Sequence, residues 1–133
     1  MIVADTNLIA YLLVQGERSA LAEQVLEKDP HWIAPILWRS ELRQVLLKTV
    51  RAGLSATRAR ELMTHAEDFL YGREFTVPSG DVLNLGFASP CSAYDCEFVA
   101  LALSKDVPLV TSDRRLRRAF PDVAVDPESF VQG

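Results

Sequence analysis

The sequence predicts an α/β domain with a short, mostly parallel central sheet. Short apolar runs alternate along the whole chain with segments whose apolar residues recur at helical spacing, and such alternation is typical of parallel sheets with helical crossovers. The 133 residues are 49% hydrophobic and 24% charged, a size and composition that suit one soluble domain with one core. We therefore expect a single domain over residues 1–133.

The first half of the chain alternates strands with paired helices. The run from Met1 to Ala4 is apolar and short, as in a buried strand, and leucine and isoleucine then recur at helical spacing. Gly53 is placed to end one helix and Ser55 to cap the start of the next. The predicted strands are 1–4 and 31–34, and the predicted helices are 6–14, 19–28, 36–52 and 55–71.

The second half continues the alternation with shorter elements. Pro78 and Ser79 begin a short helix, and Ser92 opens a longer helix in which Tyr94, Phe98 and Leu101 are spaced for burial. The predicted strands are 75–77, 108–111 and a final 123–125, and the other predicted helices are 92–104 and 113–120.

The first apolar runs and the two cysteines argue against a secreted protein, a membrane protein and a zinc-binding protein. No basic residue precedes the first apolar run, and Asp5 interrupts it, unlike a secretion signal. The apolar run 8–14 is too short to cross a membrane. Cys91 and Cys96 lack the second ligand pair of a zinc site, so we expect free thiols. A cytoplasmic protein without a membrane association is the resulting expectation.

Charge and histidine content narrow the chemistry. The formal net charge of −4 argues against a broad nucleic-acid-binding surface. Only His31 and His65 are present, and each is expected at the surface or in packing, so histidine-driven catalysis is not expected. Four arginines nevertheless form a local basic cluster in this acidic chain, which suits either a solvated helix face or contacts to RNA phosphates. They are Arg114, Arg115, Arg117 and Arg118.

Three acidic residues stand where strands end or helices begin. Asp5 and Asp113 follow predicted strands, and residues just past the carboxyl ends of parallel strands line the ligand crevice of an open sheet. Both could instead serve helix starts, Asp5 as a cap and Asp113 in a first turn. Asp95 lies three residues after Ser92, which is the spacing of a capping box. Each acid taken alone therefore has a structural explanation.

Glu41 is harder to explain by helix capping or solvation. On a helical wheel it lies on the apolar side, between Leu37, Trp38 and Val45. A buried carboxylate is costly without a cation or hydrogen-bond donors. Clustered acids also repel unless a cation neutralises them, and oxygen-only ligands favour Mg²⁺ or Mn²⁺. The four acids together predict a metal site suited to phosphoryl chemistry.

These residues resemble the PIN-domain ribonucleases, and most closely the toxins of VapBC-type toxin–antitoxin pairs. The resemblance covers nearly the whole chain, and the block that contains Tyr94-Asp95 and Thr111-Ser112-Asp113 is the most specific. The matching stretches are VADTNLIAYLL at 3–13, SELRQVL at 40–46 and SAYDCEFVALALSKDVPLVTSDRRLRRAF at 92–120.

The resemblance implies a PIN-like three-layer α/β/α domain and a Mg²⁺-dependent endoribonuclease, with Mn²⁺ as an alternative ion. It implies that one or two ions bind at four carboxylates, and that Asn7 with Thr111 or Ser112 orients carboxylates or substrate. One departure leaves the second metal position open, because arginines follow Asp113 where some relatives have a further acid. The implied metal ligands and catalytic residues are Asp5, Glu41, Asp95 and Asp113.

The resemblance also implies partners. These would be an RNA substrate, a small VapB-like antitoxin and a second copy of the chain in a homodimer. A non-catalytic PIN-like module that binds RNA or protein, and a stand-alone RNA-processing nuclease, are the alternatives. Apolar helix residues are expected to contribute to a groove or a dimer face, or else to the core. They are Leu12, Leu13, Leu21, Val25, Leu46, Leu47, Val50 and Leu62.

Overall fold

Five strands alternate with eight helices in the computed structural model, which describes residues 1–133. The strands are β1 (Ile2–Ala4), β2 (Trp32–Pro35), β3 (Glu74–Phe75), β4 (Leu109–Val110) and β5 (Ala124–Val125). The helices are α1 (Thr6–Leu13), α2 (Ser19–Lys28), α3 (Trp38–Arg51), α4 (Ala56–Phe69), α5 (Ser79–Phe87), α6 (Ala93–Lys105), α7 (Arg114–Ala119) and α8 (Pro127–Gln132).

The sheet is parallel throughout, with the strand order β3-β2-β1-β4-β5. Strand β1 lies at the centre, where Ile2 pairs with Trp32 of β2 and Val3 with Leu109 of β4. The chain builds outward from β1 to β3 on one side and then crosses to β4 and β5 on the other. The strand order therefore reverses between β1 and β4, which is where open α/β sheets form their ligand crevice.

Alternation along the strands separates two apolar cores. Ile2 and Ala4 pack in one core with Trp38 of α3, whereas Val3, between them, packs in the other core with Phe98 of α6. Because successive side chains of a strand point to opposite faces, the two cores lie on opposite faces of the sheet. The predicted three-layer α/β/α class is confirmed.

Helix caps fall where the sequence indicates them. Ser55 and Ser92 are the N-caps of α4 and α6, and their hydroxyl oxygens accept backbone N–H bonds. Gly53 follows α3 with a φ of +125°, and its N–H donates to the Val50 carbonyl at 3.0 Å. This left-handed conformation favours glycine.

Several element boundaries differ from the sequence-based prediction by one or two residues, among them those between β2 and α3. Strand β2 extends to Pro35, which was expected to lead into a helix, and α3 begins only at Trp38. The ladder to β3 uses the N–H groups of Ala34 and Ile36, so the missing N–H of Pro35 removes no bond on that side. Helix α8 was not predicted, and the Asp126 carboxylate caps its start by accepting the Ser129 N–H at 2.8 Å.

The expected apolar groove is only partly exposed. Val25, Leu46 and Leu62 are buried, so of the two alternatives the core contribution holds for these three. Leu47 is 45% exposed. Other large exposed apolar side chains lie on α5 and α6, namely Leu83, Phe87, Tyr94 and Leu103. None of the helices combines the length and apolar character needed to span a membrane.

Candidate functional site

One cavity of about 270 Å³ brings together the four acids that the sequence singles out. It lies where β1 and β4 end, at the reversal of strand order, and α3 and α6 close it from either side. The acids are Asp5, Glu41, Asp95 and Asp113, and the other lining residues are Thr6, Asn7, Gln44, Val45, Phe98 and Leu116.

Asp5 is both a helix cap and a wall of the cavity. It directly follows β1, and its Oδ1 accepts the Leu8 N–H at 2.8 Å, which caps α1. Its Oδ2 accepts the Thr111 hydroxyl at 2.5 Å. From the sequence, helix capping and a place in the site were alternatives for Asp5, whereas in the structure Asp5 does both. Capping fixes the orientation of the carboxylate at the sheet edge.

Thr111 connects the two acids that follow the central strands. The Thr111 hydroxyl donates to Asp5 Oδ2, and the Thr111 Oγ1 atom also accepts the Asp113 N–H at 3.0 Å. The side chain is fully buried. Asp113 Oδ1 in turn accepts the Arg115 N–H at 2.8 Å and so caps α7. Thr111 therefore fixes the ends of β1 and β4 relative to each other.

Ser112 was the alternative to Thr111 as an orienting residue. Its Oγ accepts a bond from Arg18 Nη2 at 3.2 Å, and it does not line the cavity. Of the two, only Thr111 contacts a carboxylate of the site. Asn7 lines the cavity and is exposed, but its side chain forms no hydrogen bond here.

Glu41 reaches the cavity from the apolar face of α3, as the wheel indicates. Its Oε1 accepts the Thr6 hydroxyl at 2.6 Å, and its other oxygen has no hydrogen-bond partner. Burial raises the pKa of Glu41, the Thr6 bond opposes this, and Asp95 and Glu97 add to the rise by repulsion. Glu41 is therefore inclined to hold a proton or to accept a cation.

Asp95 forms only half of the predicted capping box. The Ser92 Oγ accepts the Asp95 N–H at 3.1 Å, but the Asp95 carboxylate does not bond to the Ser92 N–H. Helix capping therefore uses the backbone of Asp95 and leaves both carboxylate oxygens available to a ligand.

Burial and mutual repulsion disfavour the ionised form of the carboxylates in the cavity. Burial raises the pKa of Asp5 to about 6, even though bonds from Thr111 and Leu8 act in the opposite direction. Repulsion from Asp113 and Glu41 contributes further to the rise. A cation would reverse this effect, because it stabilises the ionised carboxylates.

The donor set fits a hard divalent cation. All four acids offer oxygen, which Mg²⁺ and Mn²⁺ prefer, and both histidines of the chain are exposed away from the cavity. Asp95, and one oxygen each of Glu41 and Asp113, are free of hydrogen bonds. With the side chains in these positions, no three acidic, histidine or cysteine groups are arranged to hold an ion together.

Sequence reasoning missed three polar residues at or near the site. Thr6 bonds to Glu41, Gln44 lines the cavity, and Glu97 is near enough to raise the pKa of Glu41. Thr6 lies between Asp5 and Asn7, and this position beside a candidate ligand was the signal available in the sequence. Gln44 is exposed yet lines the cavity, and no pattern in the sequence singled it out.

Comparison with known proteins agrees with this architecture. The model of the PIN domain family matches residues 2–120. No curated protein sequence matches the chain significantly.

Solved structures share the fold. PAE2754 from Pyrobaculum aerophilum has a TM-score of 0.76 at 19% identity, over 98% of this chain and 86% of that one. FitAcB from Neisseria gonorrhoeae has 0.73 at 18% identity, over 96% and 99%. A toxin–antitoxin complex from Klebsiella pneumoniae has 0.67 at 18% identity, over 96% and 98%. At these identities the likeness is one of fold.

Proposed function

Because the chain belongs to the PIN-domain family, whose members are generally nucleases, we propose that it is a metal-dependent endoribonuclease and the toxin of a toxin–antitoxin pair. The observation that carries the proposal is the convergence of Asp5, Glu41, Asp95 and Asp113 on one cavity. We propose Mg²⁺ as the cofactor, with Mn²⁺ as the alternative, and residues 1–133 as one cytoplasmic domain.

Each acid has a role that its contacts support. A divalent ion held by these carboxylates would polarise the scissile phosphate and lower the pKa of an attacking water. Asp5 is held in a fixed orientation by Leu8 and Thr111, and Asp95 offers an unengaged carboxylate. Both are suited to direct ligation, and Asp113 completes the set from the start of α7.

Glu41 is the proposed proton acceptor. The Thr6 hydroxyl holds one of its oxygens at 2.6 Å, and the other can take a proton from the water that attacks phosphorus. Attack in line with the 3′ oxygen would leave a 5′-phosphate and a 3′-hydroxyl. A general base with a raised pKa accepts this proton more readily than an ordinary carboxylate.

The test of this proposal is cleavage of RNA by the purified protein. We expect cleavage with Mg²⁺ or Mn²⁺, none with EDTA, and recovery when the ion is returned in excess. Asp5→Asn should lack activity, because an amide is a weaker ligand for a hard cation. Metal-independent cleavage, or equal cleavage by Asp5→Asn, would contradict the proposal.

The antitoxin partner is proposed from the neighbouring structures. One similar structure is the toxin–antitoxin complex from Klebsiella pneumoniae, and another is that of FitAB bound to a DNA fragment. We propose that a small VapB-like protein lays an amphipathic segment on this chain and directs a basic side chain toward the acids. That cation would compete with Mg²⁺ for the same carboxylates. If the product of no neighbouring open reading frame inhibits cleavage, the nuclease acts without an antitoxin.

A further inference from the structure

We infer that Arg114, Arg117 and Arg118 form a separate pocket that binds a phosphate of the RNA strand beside the one being cut. The inference rests on the proposed function and deepens it. These three side chains alone line a cavity of about 290 Å³. None of the three lines the acidic cavity.

Helix geometry separates these arginines from the fourth one. Residues spaced by three and four share one face of a helix, which places Arg114, Arg117 and Arg118 together. Arg115 points elsewhere and does not line this pocket. On the opposite side of α7, Leu116 is buried and lines the acidic cavity. One short helix, capped by Asp113, thus carries the basic pocket and a wall of the acidic cavity.

The positive charge of the pocket is poorly compensated within the protein. Arg117 contacts Asp126 at 3.5 Å, but that carboxylate already accepts the N–H and hydroxyl of Ser129, each at 2.8 Å. Arg114 and Arg118 form no ion pair. The Arg117 Nε is buried without a hydrogen-bond partner, and a buried donor left unpaired costs free energy. An anion with several oxygens would relieve the repulsion among the three guanidinium groups and could bond to their accessible N–H groups.

An RNA phosphate is the anion that fits this location. The acidic cavity repels RNA, and the chain carries a formal charge of −4, so binding needs a local basic contact near the site of cleavage. Guanidinium groups match phosphate oxygens in paired hydrogen bonds, and phosphate contacts fix the register of a strand. An acidic segment of a protein partner is the competing occupant, and the test below separates the two.

The test measures binding of a fluorescently labelled single-stranded RNA of mixed sequence, in EDTA, over a range of salt concentrations. Arg114→Gln and Arg118→Gln should each weaken binding about fivefold near 0.1 M salt and reduce the salt slope by about 0.7. Arg115→Gln is the matched control, since it removes the same charge from the same helix, and should bind like wild type. Circular dichroism checks that each variant is folded.

Three outcomes would overturn the inference. Equal weakening by Arg115→Gln would indicate general electrostatics, and unchanged binding in all variants would remove the pocket. Unchanged RNA binding with weaker association of an acidic protein partner would assign the pocket to that partner. Because EDTA blocks the proposed cleavage, arginine-dependent binding without later cleavage in Mg²⁺ would refute the nuclease and retain the pocket.

Discussion

Thr111 is the residue whose single hydroxyl links the two strand-end acids. In the native protein the Thr111 hydroxyl bond to Asp5 Oδ2 lowers the pKa of Asp5. Thr111→Val keeps the shape of the side chain but removes this bond. We therefore expect that pKa to rise above about 6, and the pH profile of cleavage to move toward higher pH with lower activity at pH 7. Thr111→Ser restores the hydroxyl and should restore the profile. A profile unchanged in Thr111→Val would contradict this role.

We expect the ionised Asp5 carboxylate to lower the stability of the metal-free protein. Its pKa of about 6 in the folded protein lies above the usual 3.8, so the folded state binds the proton more tightly than the unfolded state. The free energy of unfolding therefore falls as pH rises from about 4 to 6. Without divalent ions, Asp5→Asn should be more stable than wild type at pH 7.5 by about 3 kcal/mol, because each unit of pKa difference is worth about 1.4 kcal/mol, with no difference near pH 3. Urea unfolding at the two pH values measures this, and a constant difference would contradict it.

At the scale of the element, α6 separates helix capping from the proposed chemistry. Ser92→Ala should destabilise the protein by about 1 kcal/mol, because it removes the N-cap. Asp95→Asn should keep near wild-type stability, since the cap uses only the Asp95 N–H, but should reduce cleavage by at least about 100-fold, the order of loss expected on removing a key electrostatic group. Thermal unfolding and RNA cleavage measure the two effects. If Asp95→Asn unfolds and the wild type never cuts RNA, the capping explanation is correct.

The elements also show what the sequence could predict. Glu41 was predicted to face inward because the 14 residues of α3 carry a clear apolar stripe, and Ser92 and Gly53 were recognised by local cap chemistry. The Thr6 bond to Glu41 was not predictable, because it joins residues 35 positions apart. Helix α8 escaped prediction because its six residues are too few for a periodic pattern. Local patterns thus fixed the elements, whereas contacts between distant segments required the fold.

At the scale of the whole molecule, α5 and α6 expose apolar side chains on the face opposite α3 and α4. Phe87 is 80% exposed and Leu103 50% exposed, and exposed apolar patches commonly mark protein interfaces. We expect the homodimer that the sequence resemblance implies to use this face, so that Phe87→Glu with Leu103→Glu gives a folded monomer. Light scattering after size exclusion measures the mass. A wild-type monomer at high concentration would remove the dimer, and a dimeric double variant would place it elsewhere.

The central claim is that the four carboxylates form one divalent-cation site, and calorimetric titration of Mn²⁺ into the protein at pH 7.5 tests it most directly. We predict saturable binding to the wild type with one or two ions per chain. Binding should be strongly weakened in folded Asp95→Asn and unchanged in Arg115→Gln. Absence of binding to the wild type, or equal binding to Asp95→Asn, would contradict the account.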